Sequence, residues 1–133
     1  MTFRQSILCA VVLAAAAASA ASGEQTVPPP VGPFKVVHLM NMTAEQEARY
    51  GAYIKDANQV MARLGCPSCA YHVYRVGAAS GGKYNHMTMS DWPGRDMFVK
   101  VHTADDYKAL GAKHPVRDEV EKAQFYDRFV EVK

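Results

Sequence analysis

Thr43-Ala-Glu-Gln-Glu-Ala-Arg-Tyr-Gly-Ala-Tyr-Ile-Lys-Asp-Ala-Asn-Gln-Val-Met-Ala-Arg-Leu-Gly65 is the stretch that decides the fold. Thr43 and Gln46 have the spacing of a capping box, in which the threonine hydroxyl accepts from the N3 amide and the glutamine side chain returns to the N-cap amide. Behind that cap, Tyr50, Tyr53, Ile54, Ala57, Val60, Met61 and Leu64 recur at the spacing of one helical face. Gly65 supplies the left-handed position that ends a helix. A helix over about 44–64 with one apolar face follows, and such a stripe has to be buried against neighbouring elements.

Reading outward, the segment before the helix, Lys35–Asn41, is short and rich in valine. Strand alternation puts Val37 and Leu39 on one face and Val36, His38 and Met40 on the other. Downstream, Ala70–Val76 and Lys83–Ser90 both alternate and are separated by Gly77-Ala-Ala-Ser-Gly-Gly82, the pattern of a β-hairpin. Pro93 fits the first turn of a second helix carrying Met97, Phe98 and Val101. Thr103-Ala-Asp-Asp106 restarts it with another capping pattern, carrying Tyr107 and Leu110. Pro115 opens a third piece with Val116, Val120 and Ala123, so this helical region is expected to be broken. Phe125–Val132 closes the domain as a strand. The order β-α-β-β-α-β is the split arrangement of an α+β, ferredoxin-like fold, with an antiparallel four-stranded sheet and helices on one face. The other face is left open. Large apolar patches are uncommon on soluble monomers, so a homodimer through the open sheet face is expected.

The N-terminus reads as an export signal. Arg4 precedes an uncharged apolar run, Ile7 to Ala18, and the small residues Ala18-Ser19-Ala20 follow, so residues 1–20 form a cleavable signal peptide. The run is twelve residues long, whereas a membrane-spanning helix takes about 20, and no later stretch comes close. Cys9 follows Leu8 inside the run and does not suit a lipid anchor. A periplasmic or secreted protein with no membrane contact after cleavage is expected. Cleavage leaves 113 residues: a flexible Pro-rich lead-in over 21–33, and one domain over 34–133. Without Arg4 the charge is 14 Lys+Arg against 13 Asp+Glu with no run of one sign, which argues against a nucleic-acid or membrane-surface partner.

Three sets of residues have chemistry to offer. Cys66-Pro-Ser-Cys69 has redox spacing, but it follows a helix C-terminus, the wrong pole to stabilise a thiolate. A structural disulfide is therefore preferred over a redox pair or metal ligands, as suits an oxidising compartment. His38, Met40 and Met42 on the first strand, with His72, His86, Met87 and Met89 on the hairpin, are soft donors of a kind that suits copper, although alternating Met is commonly core filling. The third set is pocket lining: Tyr84 and His86, His72 and Tyr74, and Tyr126 and Arg128 pair on common faces. Trp92 is placed to pack over the sheet edge or roof a pocket. With the first and third strands adjacent, His38 and His86 are expected to converge as the catalytic pair, acting as general base or hydrogen-bond donor. Tyr84, His72, Tyr74, Trp92 and Arg128 then bind the ligand. His102 and His114 are expected to be solvated or capping. Nucleophile elbows, phosphate loops and zinc spacings are missing from the sequence.

One stretch, His86-Met-Thr-Met-Ser-Asp-Trp-Pro-Gly-Arg-Asp-Met-Phe-Val-Lys-Val-His102 followed by Tyr107, resembles the third strand and broken helix of the dimeric α+β barrel superfamily. That group includes the antibiotic-biosynthesis-monooxygenase-like proteins and their stress-responsive relatives. The likeness is one of layout and covers roughly residues 35–132. It implies a homodimer and a pocket between sheet and helices for an aromatic or polyketide-like molecule, in several members without metal or organic cofactor. The group has no shared catalytic motif, so no catalytic residue carries over, and its members are usually intracellular, unlike an exported chain with Cys66 and Cys69. The expectation is an exported protein that binds a small apolar or aromatic compound, with cofactor-independent monooxygenase- or isomerase-like activity left open against simple binding. The alternatives are a non-catalytic periplasmic copper or stress-related binding protein using His38, Met40 and Met42, and an interaction module with no pocket.

Overall fold

The computed structural model of the chain describes residues 27–77, 82–122 and 125–133. The expected signal peptide over 1–20, the first part of the lead-in, most of the Gly77–Gly82 hairpin loop and Ala123 lie outside the described residues. Elements follow in the order β1 (Phe34–Met40), α1 (Ala44–Arg63), β2 (His72–Arg75), β3 (His86–Trp92), α2 (Arg95–Thr103), α3 (Asp105–Lys113), α4 (Val116–Glu121) and β4 (Phe125–Phe129). The sheet order is β2-β3-β1-β4 with every neighbouring pair antiparallel, the α+β ferredoxin-like arrangement.

Helix α1 forms as the sequence dictates. Thr43 Oγ1 accepts from the Gln46 amide (3.1 Å), Gln46 Oε1 accepts from the Thr43 amide (3.0 Å), and Gly65 takes φ 96° beyond the last turn. Its stripe of Tyr50, Tyr53, Ile54, Ala57, Val60 and Met61 is buried. Arg49 holds Glu119 through two hydrogen bonds, and Asp56 accepts from Lys113 and bonds His114, tying α1 to α3 and α4. Among the described residues no helix is long and apolar enough to cross a membrane.

Strand β4 ends at Phe129, short of the expected Val132, and other boundaries differ from expectation for local reasons. Cys66 and Cys69 are joined, and the 3-10 turn Pro67–Cys69 between α1 and β2 shortens β2. Strand β3 begins at His86 and runs on to Trp92, which pairs with Phe34, so Tyr84 lies outside the strand. Pro93 sits ahead of α2, because Gly94 takes the N-cap. Thr103 does not cap α3: its hydroxyl donates back to the Val99 carbonyl (2.7 Å), making it the last residue of α2. The break between α2 and α3 falls at Ala104, in extended conformation.

The register assigns every sheet residue to a face. Phe34, Val36, His38 and Met40 of β1, with His86, Thr88, Ser90 and Trp92 of β3, are buried beneath the helices. Tyr126 and Arg128 of β4 pair with His38 and Val36 and share that side. The opposite side carries Val37 and Leu39, Met87 and Met89, His72 and Tyr74, and Phe125, Asp127 and Phe129. Lys35 and Asp91 form an ion pair at its margin. Among the described residues no element covers this side, and Tyr74, Phe125 and Phe129 are exposed.

Candidate functional site

The helix side of the sheet gathers an aromatic and imidazole cluster where α2 crosses β1 and β4. Its position follows from Trp92 and Gly94. Trp92 ends β3 buried, with Nε1 donating to Ser90 Oγ (2.8 Å), and Gly94 then turns the chain into α2. Helix α2 presents Phe98 and His102, one turn apart on one face. Their rings stack at 3.8 Å, and Trp92 meets Phe98 edge-on at 4.9 Å. Tyr107 of α3 closes on His102 at 4.8 Å, and Phe34 of β1 on Phe98 at 5.6 Å.

Two imidazoles sit within this apolar set. His102 Nδ1–H donates to the Phe98 carbonyl (2.8 Å), which fixes the tautomer and leaves Nε2 with its lone pair. Burial, with the charge of Arg128 and Arg117 adding to it, lowers its pKa to about 4. His38 lies against Tyr126 at 4.6 Å, with Nδ1 3.3 Å from Thr88 Oγ1. Burial lowers its pKa to about 4 as well, helped by His102. Both rings are therefore neutral at pH 7. Tyr50 Oη donates to Glu121 Oε1 (2.7 Å).

His86 does not join His38. It shares the helix side, but it pairs with Met40 two positions along β1, and its ring is engaged elsewhere. Nε2 bonds Glu47 Oε2 (2.7 Å) and Nδ1 bonds Asn85 Oδ1 (2.6 Å). Glu47 also accepts two bonds from Arg75 (3.0 and 2.7 Å), and these with His86 hold its carboxyl down to about 2. The arrangement ties α1 to β2 and β3, a positioning role in place of the expected catalytic one.

The expected ligand-binding set divides. Arg128 and Trp92 lie in or beside the cluster, with Arg128 Nε donating to Tyr126 Oη (3.0 Å) and its guanidinium 5.0 Å from the Phe98 ring. His72 and Tyr74 point to the open side, and Tyr84 stands outside β3 beneath Lys83. Met40 and Met42 are buried core residues against α1. Among the described residues no group of three or more His, Cys, Asp or Glu side chains is placed to hold a metal ion. His102 is half-buried, stacked on Phe98 and bonded to the Phe98 carbonyl within α2, where a solvated or capping residue was expected. Its signal in the sequence was the Phe98/His102 spacing, but only the tertiary fold adds Trp92 and Tyr107. The phenols of Tyr71 and Tyr107 share a hydrogen bond (3.0 Å) beside Tyr53, and burial raises the pKa of all three. The periodicity of α1 marked Tyr53 as core without revealing these partners.

No family model matches the chain, and no curated protein matches it. Solved structures do. A protein from Bordetella bronchiseptica named as an antibiotic biosynthesis monooxygenase superposes with a TM-score of 0.55 at 15% identity, over 77% of this chain and 99% of that one. A DABB family protein with a ferredoxin-like fold from Mesorhizobium loti gives 0.54 at 9% identity, over 77% and 99%. A dimeric ferredoxin-like protein of unknown function from Thermobifida fusca gives 0.52 at 15%, over 76% and 92%. At these identities the likeness is one of fold. The ferredoxin-like α+β architecture is shared with proteins of the group that the sequence resembles.

Proposed function

We propose that the helix side of the sheet binds a small aromatic molecule against Trp92, Phe98 and Tyr126, and that His38 and His102 handle a proton of that ligand. The observation that carries this reading is the pair of neutral imidazoles set among aromatic rings, His38 buried and His102 half-buried. Burying polar side chains among aromatic rings is costly unless they are bonded, and perturbed titratable groups collect where proton chemistry is done. The chemistry is removal of a proton from an acidic position of the ligand by a neutral imidazole, giving imidazolium and a ligand anion. That step opens both isomerisation and oxygenation by dioxygen without a cofactor.

The same reading makes the protein an exported homodimer. Val37, Leu39, Met87, Met89, Phe125 and Phe129 form an apolar side that a second copy would cover, and the Thermobifida fusca protein of this fold is described as dimeric. Light scattering of the purified protein should return a dimer mass, and a monomer at all concentrations contradicts it. The N-terminus of the protein recovered from the periplasm should fall near Ala21.

Trp92 is the single tryptophan and therefore reports directly on the cluster. Titration with 1,4-naphthoquinone, a non-fluorescent aromatic quencher, should give saturable quenching, with affinity about tenfold weaker in His102→Ala. Linear, collisional quenching that is identical in both proteins would remove the site.

A further inference from the structure

The methionines among the described residues stand in three settings. Met40, Met42 and Met61 are buried in the core. Met97 is half-buried on α2, packed against the margin of that core. Met87 and Met89 are half-buried on the bare side of the sheet. Strand β3 is an interior strand, so each of these two thioethers is flanked on both sides, Met87 by Leu39 and Tyr74, and Met89 by Val37 and His72. They therefore occupy the middle of the surface that a second copy would cover.

A thioether within reach of hydrogen peroxide is converted to the sulfoxide. The sulfur lone pair forms a bond to one peroxide oxygen, the O–O bond breaks, and the other oxygen leaves as water, so that sulfur is oxidised by two electrons and peroxide is reduced by two. The product is polar where the thioether was apolar and pliable. Beside Met87 and Met89 on β1 stand Leu39 and Val37, whose side chains offer a sulfoxide oxygen no donor, and His72 and Tyr74 are exposed residues of the edge strand β2. Pressing that oxygen against a second apolar side would leave it unpaired, which is costly. Dimerisation and oxidation thus compete for the same two side chains.

We infer that Met87 and Met89 are a peroxide-sensitive modification site that sets the oligomeric state: separated copies are oxidised there, and the sulfoxides then oppose re-association. The inference rests on the homodimer proposed above and adds its regulation. Purified protein treated with hydrogen peroxide above and below the concentration at which it dimerises tests it, with each methionine followed by peptide mass spectrometry. Met87 and Met89 should oxidise about tenfold more slowly in the concentrated sample, whereas Met97, on α2, should oxidise at one rate in both. Sedimentation equilibrium of the oxidised protein should show the dimer weakened by about 100-fold. The double variant Met87→Leu/Met89→Leu keeps the side apolar, and should dimerise and stay dimeric through the same treatment. Equal oxidation of Met87 and Met89 in both samples, an oxidised protein with unchanged dimerisation, or a leucine variant that peroxide still dissociates overturns the inference while the dimer stands. A protein that is monomeric at every concentration removes the dimer and this inference with it.

Discussion

The two sides of the sheet are built in opposite ways. Beneath the helices, β1 and β3 bury His38, His86, Thr88 and Ser90 among aromatic rings. On the other side the same strands, with β4, hold Val37, Leu39, Met87, Met89, Phe125 and Phe129, which no element among the described residues covers. The covered side thus buries polar groups together with Phe34, Val36, Met40 and Trp92, while the bare side leaves a set of apolar side chains uncovered. Each assignment has a physical consequence. Buried polar atoms need partners, and among the described residues every buried side-chain nitrogen or oxygen has one. Apolar side chains left in water favour association. The contrast fits a sheet whose covered side serves a ligand and whose bare side serves a second copy.

Trp92→Ala should break the covered side most severely. The indole is fully buried between Ser90, Phe98 and His102, so its removal should cost about 3–5 kcal/mol in urea unfolding. A loss near zero would mean that the cluster is not a packed unit.

Acid sharpens the same side. His38 falls from the model-peptide value of 6.5 to about 4 on folding, so between those pH values the unfolded chain binds more protons than the folded one. Stability should be flat above pH 6.5 and fall as the pH drops toward 4, by roughly 3 kcal/mol from His38 alone. His38→Gln should flatten that part of the profile. Glu47, held at about 2 by Arg75 and His86, acts lower down. Its contribution is complete above the ordinary carboxylate range and is lost as the pH falls through about 2.

The bare side is broken by charge. Leu39→Asp puts a carboxylate between Val37 and Met87 where the second copy would lie, and should weaken dimerisation by about 100-fold in sedimentation equilibrium. An unchanged dimer would place the contact elsewhere. Thr43→Ala lies on neither side, at the start of α1. It should cost only about 1 kcal/mol and leave dimerisation and ligand binding alone.

How much of this was legible in the sequence depends on the range of the interaction. The capping box at Thr43, the stripe of α1 and the alternation of β1 are local patterns, and each appears where the sequence placed it. The shared side of Tyr126 and Arg128 was also a matter of strand period alone. Thr103 misled because its hydroxyl had two local choices, and the bond back to Val99 won. Tyr84 misled because alternation continues past the last residue that finds a partner on β1. His86 carries no local mark of Glu47, which lies 39 residues earlier on another element. The Phe98/His102 spacing is local, but the Trp92 and Tyr107 partners of His102 are invisible in any short window, since they lie on other elements.

The central claim is that the covered side keeps two imidazoles neutral for proton chemistry. NMR titration of the imidazole nitrogens measures it directly. The account predicts His38 and His102 titrating near pH 4, with His102 protonated on Nδ1 throughout the neutral range. A midpoint near 6.5 for either ring would show it bathed in water and would contradict the claim.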